Sequence, residues 1–424
     1  MGQDQSNASY RLKSILDSDL YKFTMQQAVR QHFPDAEAVY RFTHRDKSVF
    51  FSRRCINALQ TSLTLFKDVF LTSDEKAWLA AKCPYFTTNY LDFLEQYRFK
   101  PEQVSVQFVP VSEDGQWGNV EIEARGPWVE TILWEVPMMA CLSELHFRID
   151  RTDWSYNGQG EIAQHKAEAL LQAGCSFSEF GTRRRRSYHT QDLVISSILK
   201  AAAKFPGVGK VSGTSNMLFA KKYNIAPVGT IAHEWFMGVA ALTGYDDANI
   251  RALRLWEETY HDTLLVALTD TFSTQVFFKE FSQDRERVVK WQGLRHDSGD
   301  PLAFAPAARA MYKSVDVDYR KKSIIYSDSI TLEKALALKK QCTEIDFPCS
   351  FGIGTFLTND FHTKSSGYRD KSKALNMVIK LYSIDGQPCI KISDDLEKNT
   401  GDPATVAFVK KKYGLPVQNP TVEE

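Results

Sequence analysis

From about residue 175 the chain repeats one pattern: a short apolar run, a turn of small and hydroxylic residues, then a stretch of helical period. Seven such units can be read. CSFSEFGT precedes RRRRSYHTQDLVISSILKAAAKF, KVSGTS precedes NMLFAKKYN, and APVGTIA precedes HEWFMGVAAL. LLVALTDT precedes FSTQVFFKEF, WQGLRHDSGDP precedes LAFAPAARAMY, and SIIYSDS precedes ITLEKALALKKQ. The last, CSFGIGTF, ends in a glycine-rich turn. Strands alternating with helices predict a parallel sheet. Polar residues gathered just after each strand fit a (β/α) barrel, whose site lies at the carboxyl ends of its strands. An open doubly wound sheet would use the same order of elements.

The first part of the chain mixes strands and helices. Alternation predicts strands over 36–45 and 119–126. Pro127 suits a first helical position, and Pro137 predicts a kink in the apolar helix that follows. The tail over 389–416 reads as a strand and a short helix that return to the first domain. The expected domains are an N-terminal α/β unit over 1–140, joined by 376–424, and a barrel over 141–375.

Charge and cysteine usage narrow the classes. Of the 424 residues, 52 are Lys or Arg and 52 are Asp or Glu, so the net charge is zero. That counts against a nucleic-acid surface, which needs a basic excess. Seven cysteines, none in a C-x-x-C pair, suggest unpaired thiols in a reducing compartment, so a cytoplasmic protein is expected. The first residues lack the apolar core of a signal peptide, and no stretch approaches the ~18 apolar residues of a membrane span.

The strand ends hold hydroxyls, glycines, arginines, aspartates and a histidine. They include Thr182 and Arg183; Thr214 and Ser215; Thr230 and His233; Asp270 and Thr271; Arg295, His296, Asp297 and Ser298; Asp328; and Gly352, Gly354 and Thr355. Glycines permit close backbone approach, and amides at a helix start bind phosphate oxygens. Aspartates suit Mg²⁺, which bridges to substrate phosphates. The set predicts a phosphosugar or polyphosphate ligand with Mg²⁺, although small polar residues after strands also serve as ordinary caps.

Arg183 to Arg186 stand together at the predicted helix start, where positive charge is disfavoured and like charges repel. A nearby anion would relieve both penalties. Helical spacing lets one or two face it, with the others in solvent or paired to carboxylates. His233, after a Gly-Thr turn, would offer a neutral, nucleophilic imidazole near pH 7.

LDSDLYKFTMQQAV, GPWVETILWEVP, FGTRRR, GTSN, GTIAHEWF, ALTDTF, QGLRHDSGDP, YSDS, SFGIGTFLTND and LNMVIKL occur in this order. With them the chain resembles bacterial nicotinate phosphoribosyltransferases over nearly its whole length. The resemblance implies an irregular type II phosphoribosyltransferase barrel with an N-terminal α/β domain to which the tail returns. It implies nicotinate, phosphoribosyl pyrophosphate (PRPP) and ATP as substrates, nicotinate mononucleotide as product, Mg²⁺, and a place in NAD salvage. His233 resembles the histidine that ATP phosphorylates. Arg183 and Arg295 resemble carboxylate- and phosphate-binding arginines, and Phe180 the aromatic that stacks on the pyridine. Tyr21 resembles a second stacking residue supplied by a neighbouring subunit, which implies a homodimer. Asp270 and Asp297 resemble the acids near Mg²⁺, Asp328 a ribose or phosphate contact, and Gly352, Gly354 and Thr355 the 5-phosphate loop. Thr182, Thr271 and Ser298 fall inside the same motifs. Arg186 lies outside FGTRRR and is expected to be silent. Glu234 has no derivable role, and His296 would pair with a phosphate or orient Asp297.

Relatives that use nicotinamide carry an aspartate where this chain has Ser215, and that carboxylate would repel nicotinate. A phosphosugar aldolase or isomerase would want a strand-end lysine or glutamate, and no such lysine stands in these turns. A non-catalytic regulator would be expected to have lost His233 or the acids of RHDSGD, which are present. Ser215→Asp is expected to weaken use of nicotinate in initial-rate assays. Unchanged nicotinate kinetics would contradict that assignment.

Overall fold

The computed structural model describes residues 9–395 and 399–417. Two six-stranded sheets form its frame. Strands β1 (Glu37–His44), β2 (Phe51–Ser52), β3 (Val104–Pro110) and β4 (Trp117–Pro127) belong to the first. In β4, Val120, Ile122 and Ala124 point into the core while Asn119, Glu121 and Glu123 face out, the period of a half-buried strand.

The second sheet is parallel: β5 (Ser176–Glu179), β6 (Lys210–Thr214), β7 (Val266–Leu268), β8 (Gly293–His296), β9 (Ser323–Tyr326) and β10 (Cys349–Ile353). Their order is β6-β5-β10-β9-β8-β7. The expected strand in APVGTIA does not form. Residues 226–232 instead run extended beside β6, with Val228 N–H donating to Thr214 O at 2.9 Å and Thr214 N–H to Ala226 O at 3.2 Å. Pro227 has no N–H to extend a ladder. Thr230 Oγ1 reaches Val266 O of β7 at 3.4 Å, so this segment spans from β6 to β7 and makes the barrel irregular. Gly213 permits the crossing, because a Cβ there would lie 2.0 Å from Ala226 O.

After a small hairpin, β11 (Phe361–His362) with β12 (Lys371–Ser372), the chain returns through β13 (Met377–Ile384), which pairs antiparallel with β1, and β14 (Gln387–Pro388). The strand expected at the start of the tail is absent. Residues 389–394 cross to the barrel mouth, where Ile392 N–H donates to Thr271 O at 2.8 Å. The helix Pro403–Tyr413 then packs on Tyr245 and Phe272 of the barrel side. Part of that expected tail, 396–398, lies outside the described residues. No helix of the described residues is long and apolar enough to cross a membrane.

Two local expectations need correction. Pro137 does not kink a helix: it sits in the first turn of Glu135–Ile149, where its missing N–H costs no bond, and the break falls earlier, after Trp128–Thr131. The arginine run is not a helix start either. Thr182–Arg184 form a 3₁₀ turn, and the helix begins at Tyr188, capped by Ser187 Oγ accepting from Thr190 N–H at 3.0 Å.

Arg185 and Arg186 are fully buried. Arg185 forms a fork on Asp17, at 2.7 Å to each oxygen, and also reaches Gln191 and the Tyr10 hydroxyl. Arg186, expected to be silent, lies 3.6 Å above the Phe147 ring and 4.4 Å from that of Phe361, and bonds Ser372. Neither side chain reaches solvent, Arg185 being enclosed by Asp17 and Tyr10 and Arg186 by Phe147 and Phe361. Asp17→Ala would strand Arg185 in the core. It is expected to cost about 3–5 kcal/mol, read as a lower urea midpoint. An unchanged midpoint would contradict the pair's structural role.

Candidate active site

A cavity of about 720 Å³ lies between the barrel mouth and the first sheet. One end is aromatic. Phe180 follows β5, and its ring rests on the backbone of Gly352, where a Cβ would come within 2.4 Å of the ring. Gly352 is therefore the seat of Phe180 rather than part of a phosphate loop. Gly354 and Thr355 do line the cavity. Tyr21 lines it too, 5.8 Å from the Arg183 guanidinium. Tyr21 stands in the first turn of the helix Leu20–His32. Thr182 lies beneath the floor, bonded by Gln191 and Asn216.

Ser215 lines this end and donates to Asp19 Oδ1 at 2.7 Å. Asp19, which sequence reasoning missed, also lines the cavity. The wall is therefore not free of a carboxylate. Burial raises the pKa of Asp19, and Arg183 opposes that shift. Arg183 thus sets a positive charge against the Ser215–Asp19 pair at this end of the cavity.

The other centre surrounds His233, the first residue of the helix His233–Thr243. Its Nδ1 lies 3.0 Å from Thr271 Oγ1; its Nε2 lies 2.8 Å from Lys391 Nζ and 3.2 Å from Asp297 Oδ2. Asp270 stands behind, 3.7 Å from Nε2, taking Lys391 at 2.9 Å and the Ser298 hydroxyl at 2.5 Å. Arg295 donates to Asp297 Oδ1 at 3.1 Å and to Ser327 Oγ at 2.8 Å. Burial and then Lys391 lower the His233 pKa, against Asp270 and Asp297. Burial works against the charge of Asp297, but Arg295, His233 and Lys391 hold it well below the carboxylate range. Asp270 is lowered too, His233 and Lys391 overcoming its burial.

Asp297, Arg295, Ser298 and Asp328 line the cavity with His233. Asp270 and Thr271 are buried behind it. His296 does neither job foreseen for it: it is buried between the Phe304 and Tyr326 rings, with both ring nitrogens unbonded. Among the described residues no group of three or more His, Cys, Asp or Glu is arranged to hold a metal. Asp297 fits as one carboxylate of a Mg²⁺ site completed by substrate phosphates. Asp270 keeps one buried oxygen, Oδ1, without a hydrogen-bond partner, while Lys391 and Ser298 hold its Oδ2.

Further groups escaped the sequence. Lys22 is fully buried and paired with both Glu135, at 2.6 Å, and Glu234. Glu135 in turn holds Arg183 at 3.2 Å; Glu234 accepts from Tyr40 at 2.5 Å and Trp128 at 3.0 Å. Arg45, Arg184, Lys380 and Lys391 add positive charge to the cavity. Only the motif LDSDLYKFTM hinted at Asp19 and Lys22; nothing in the sequence tied Lys391 to His233, 158 positions away.

The chain matches the model of the Nicotinate phosphoribosyltransferase (NAPRTase) family over residues 175–417, and that family's N-terminal domain over 16–143. The chain belongs to this family. It is 42% identical over 409 residues to a nicotinate phosphoribosyltransferase of Methanosarcina mazei, covering 92% of this chain and 95% of the relative. Against that of Saccharomyces cerevisiae it is 40% identical over 411 residues, with 95% of each covered. The crystal structure of the Porphyromonas gingivalis nicotinate phosphoribosyltransferase superposes with a TM-score of 0.86 at 34% identity, covering 95% of this chain and all (100%) of that one. The barrel and N-terminal domain are thus those of the type II phosphoribosyltransferase fold.

Lys380 gives this cavity a measurable property. Burial, then Arg45 and Lys391, push its pKa down to about 7. A bound anion favours the charged ammonium and raises that value, so binding takes up a proton. Calorimetry of pyrophosphate binding in buffers of different ionisation enthalpy should find uptake of up to about one proton near pH 8 and almost none at pH 5.5. Equal heats in all buffers at pH 8 would contradict it.

Proposed function

We propose that the protein makes nicotinate mononucleotide and pyrophosphate from nicotinate and PRPP, and couples this to ATP hydrolysis through a phosphohistidine at His233. The observation that carries the reading is the joining, in one cavity, of an aromatic and arginine end with a histidine whose Nε2 faces a lysine and two carboxylates.

Phe180 and Tyr21 offer faces for the pyridine ring, and Arg183 a partner for its carboxylate. The ring nitrogen forms a bond to the anomeric carbon as the carbon–oxygen bond to pyrophosphate breaks, its electron pair leaving with the diphosphate. The nitrogen has no proton to lose, so no general base is required. The work left to the protein is positioning and neutralising negative charge. Arg295, Lys391, Arg45 and Lys380 supply positive charge on that side. Mg²⁺, held by Asp297 and phosphate oxygens, would neutralise the same charge when bound.

His233 is suited to take a phosphoryl group. With Nδ1–H donating to Thr271, the Nε2 lone pair is free of its own proton, and the lowered pKa keeps it so at pH 7. Nε2 attacks the γ-phosphorus of ATP, ADP leaves with the bridging electron pair, and water later takes the phosphoryl group. Lys391, 2.8 Å from Nε2, lies where phosphoryl oxygens would gather. All seven cysteines are free thiols, which supports a reducing, cytoplasmic setting for this branch of NAD salvage. The homodimer that the resemblance implies belongs to the same proposal.

Incubation with [γ-³²P]ATP should give an acid-labile, base-stable phosphoprotein. His233→Ala should abolish both the label and the stimulation of nucleotide synthesis by ATP. A label that survives this substitution would move the phosphorylation elsewhere.

A further inference from the structure

Arg186 is a costly residue. Its guanidinium is fully buried, has no carboxylate partner among the described residues, and is pushed down to about 9 by burial. Three rings surround it, Phe147 at 3.6 Å, Phe361 at 4.4 Å and Trp154 at 5.3 Å. Its two charge-bearing hydrogen bonds go to one residue: Nη1 to Ser372 Oγ at 3.0 Å and Nη2 to Ser372 O at 2.7 Å.

Ser372 has little other support. It belongs to β12, whose ladder with β11 is two residue pairs long, and so short a hairpin is marginal by itself. Yet Lys371, Ser372 and Lys373 line the cavity. Lys371 is tethered to Asp360 at 2.7 Å, which also takes Lys166 at 2.6 Å. Lys373 makes no close ion pair among the described residues, Asp46 feeling its charge only at longer range, so its place depends chiefly on the backbone that Ser372 fixes.

We propose that Arg186 is a positioning residue for the phosphate-bearing part of the substrate: by pinning Ser372 it holds Lys373 at the cavity rim, where that lysine meets the anion. The identity of the anion as PRPP rests on the proposed function. A lysine could not replace it, because only a planar fork meets both oxygens of Ser372 while stacking on rings. The segment 183–186 therefore serves both ends of the cavity: Arg183 at the ring end, Arg186 at the phosphate rim.

A double-mutant cycle tests this. Lys373→Ala should raise the KM for PRPP about tenfold, with the KM for nicotinate within about twofold of wild type. Arg186→Met should do the same. The double variant should be no worse than either single one, because both remove one contact. Arg186→Lys, which keeps the charge and loses the fork, should resemble Arg186→Met and stands in for it if Arg186→Met does not fold. If both KM values rise together, or if Lys373→Ala keeps its full effect without Arg186, the proposal fails. Should the wild-type chain turn over no nicotinate, the proposed function fails. The cycle is then read from pyrophosphate affinity by calorimetry, with the same pattern required.

Discussion

A single ammonium group holds the site together. Lys22 Nζ, fully buried, lies between the carboxylates of Glu135 and Glu234. Burial alone would discharge it, but the two carboxylates outweigh that and raise its pKa. Glu135 is likewise kept charged, Lys22 and Arg183 overcoming its burial. Each charge is tolerable in the core only because the others are there. The consequence is geometric. Lys22 follows Tyr21, Glu135 grips Arg183, and Glu234 follows His233. One buried network thus sets the aromatic end of the cavity against the end that holds His233.

The same logic divides the four arginines. They share one stretch of chain and four environments. Arg183 meets a buried carboxylate, and Arg184 lines the cavity beside it, lowered to about 10 by burial and by its neighbour's charge. Arg185 is neutralised by Asp17, and Arg186 is held by aromatic faces and one serine. The cavity that Arg183 and Arg184 line carries eight arginines and lysines against six carboxylates, so a zero net charge coexists with a modest local excess of positive charge. That cavity, in turn, lowers the protonation of Lys380 and of His233 until an anion arrives. Anion binding and proton uptake are linked there through the same field.

Much of this was legible in the chain. The alternation of β4 and the repeated strand–turn–helix units gave the two architectures, because burial against one core face imposes a period of two or of 3.6 on the residues themselves. The small and charged residues after β5, β8 and β10 marked the site for the same local reason: a parallel barrel exposes its strand ends at one mouth. Arg183, Arg295 and Asp297 stood out that way, and His233 through the Gly-Thr turn before it. The segment at 226–232 misled because apolar composition does not reveal that Pro227 and the crossing at Gly213 prevent a ladder.

What only the tertiary structure decided is which charges meet. Asp19 beside Ser215, Lys391 beside His233, Lys22 between two glutamates and Arg186 over Phe147 all join residues far apart in the chain. The sequence determined the kinds of group and the elements that carry them, since those follow from local periodicity. Partnership, burial and hence protonation depend on distances of a few ångströms between separate elements, and no local pattern encodes those.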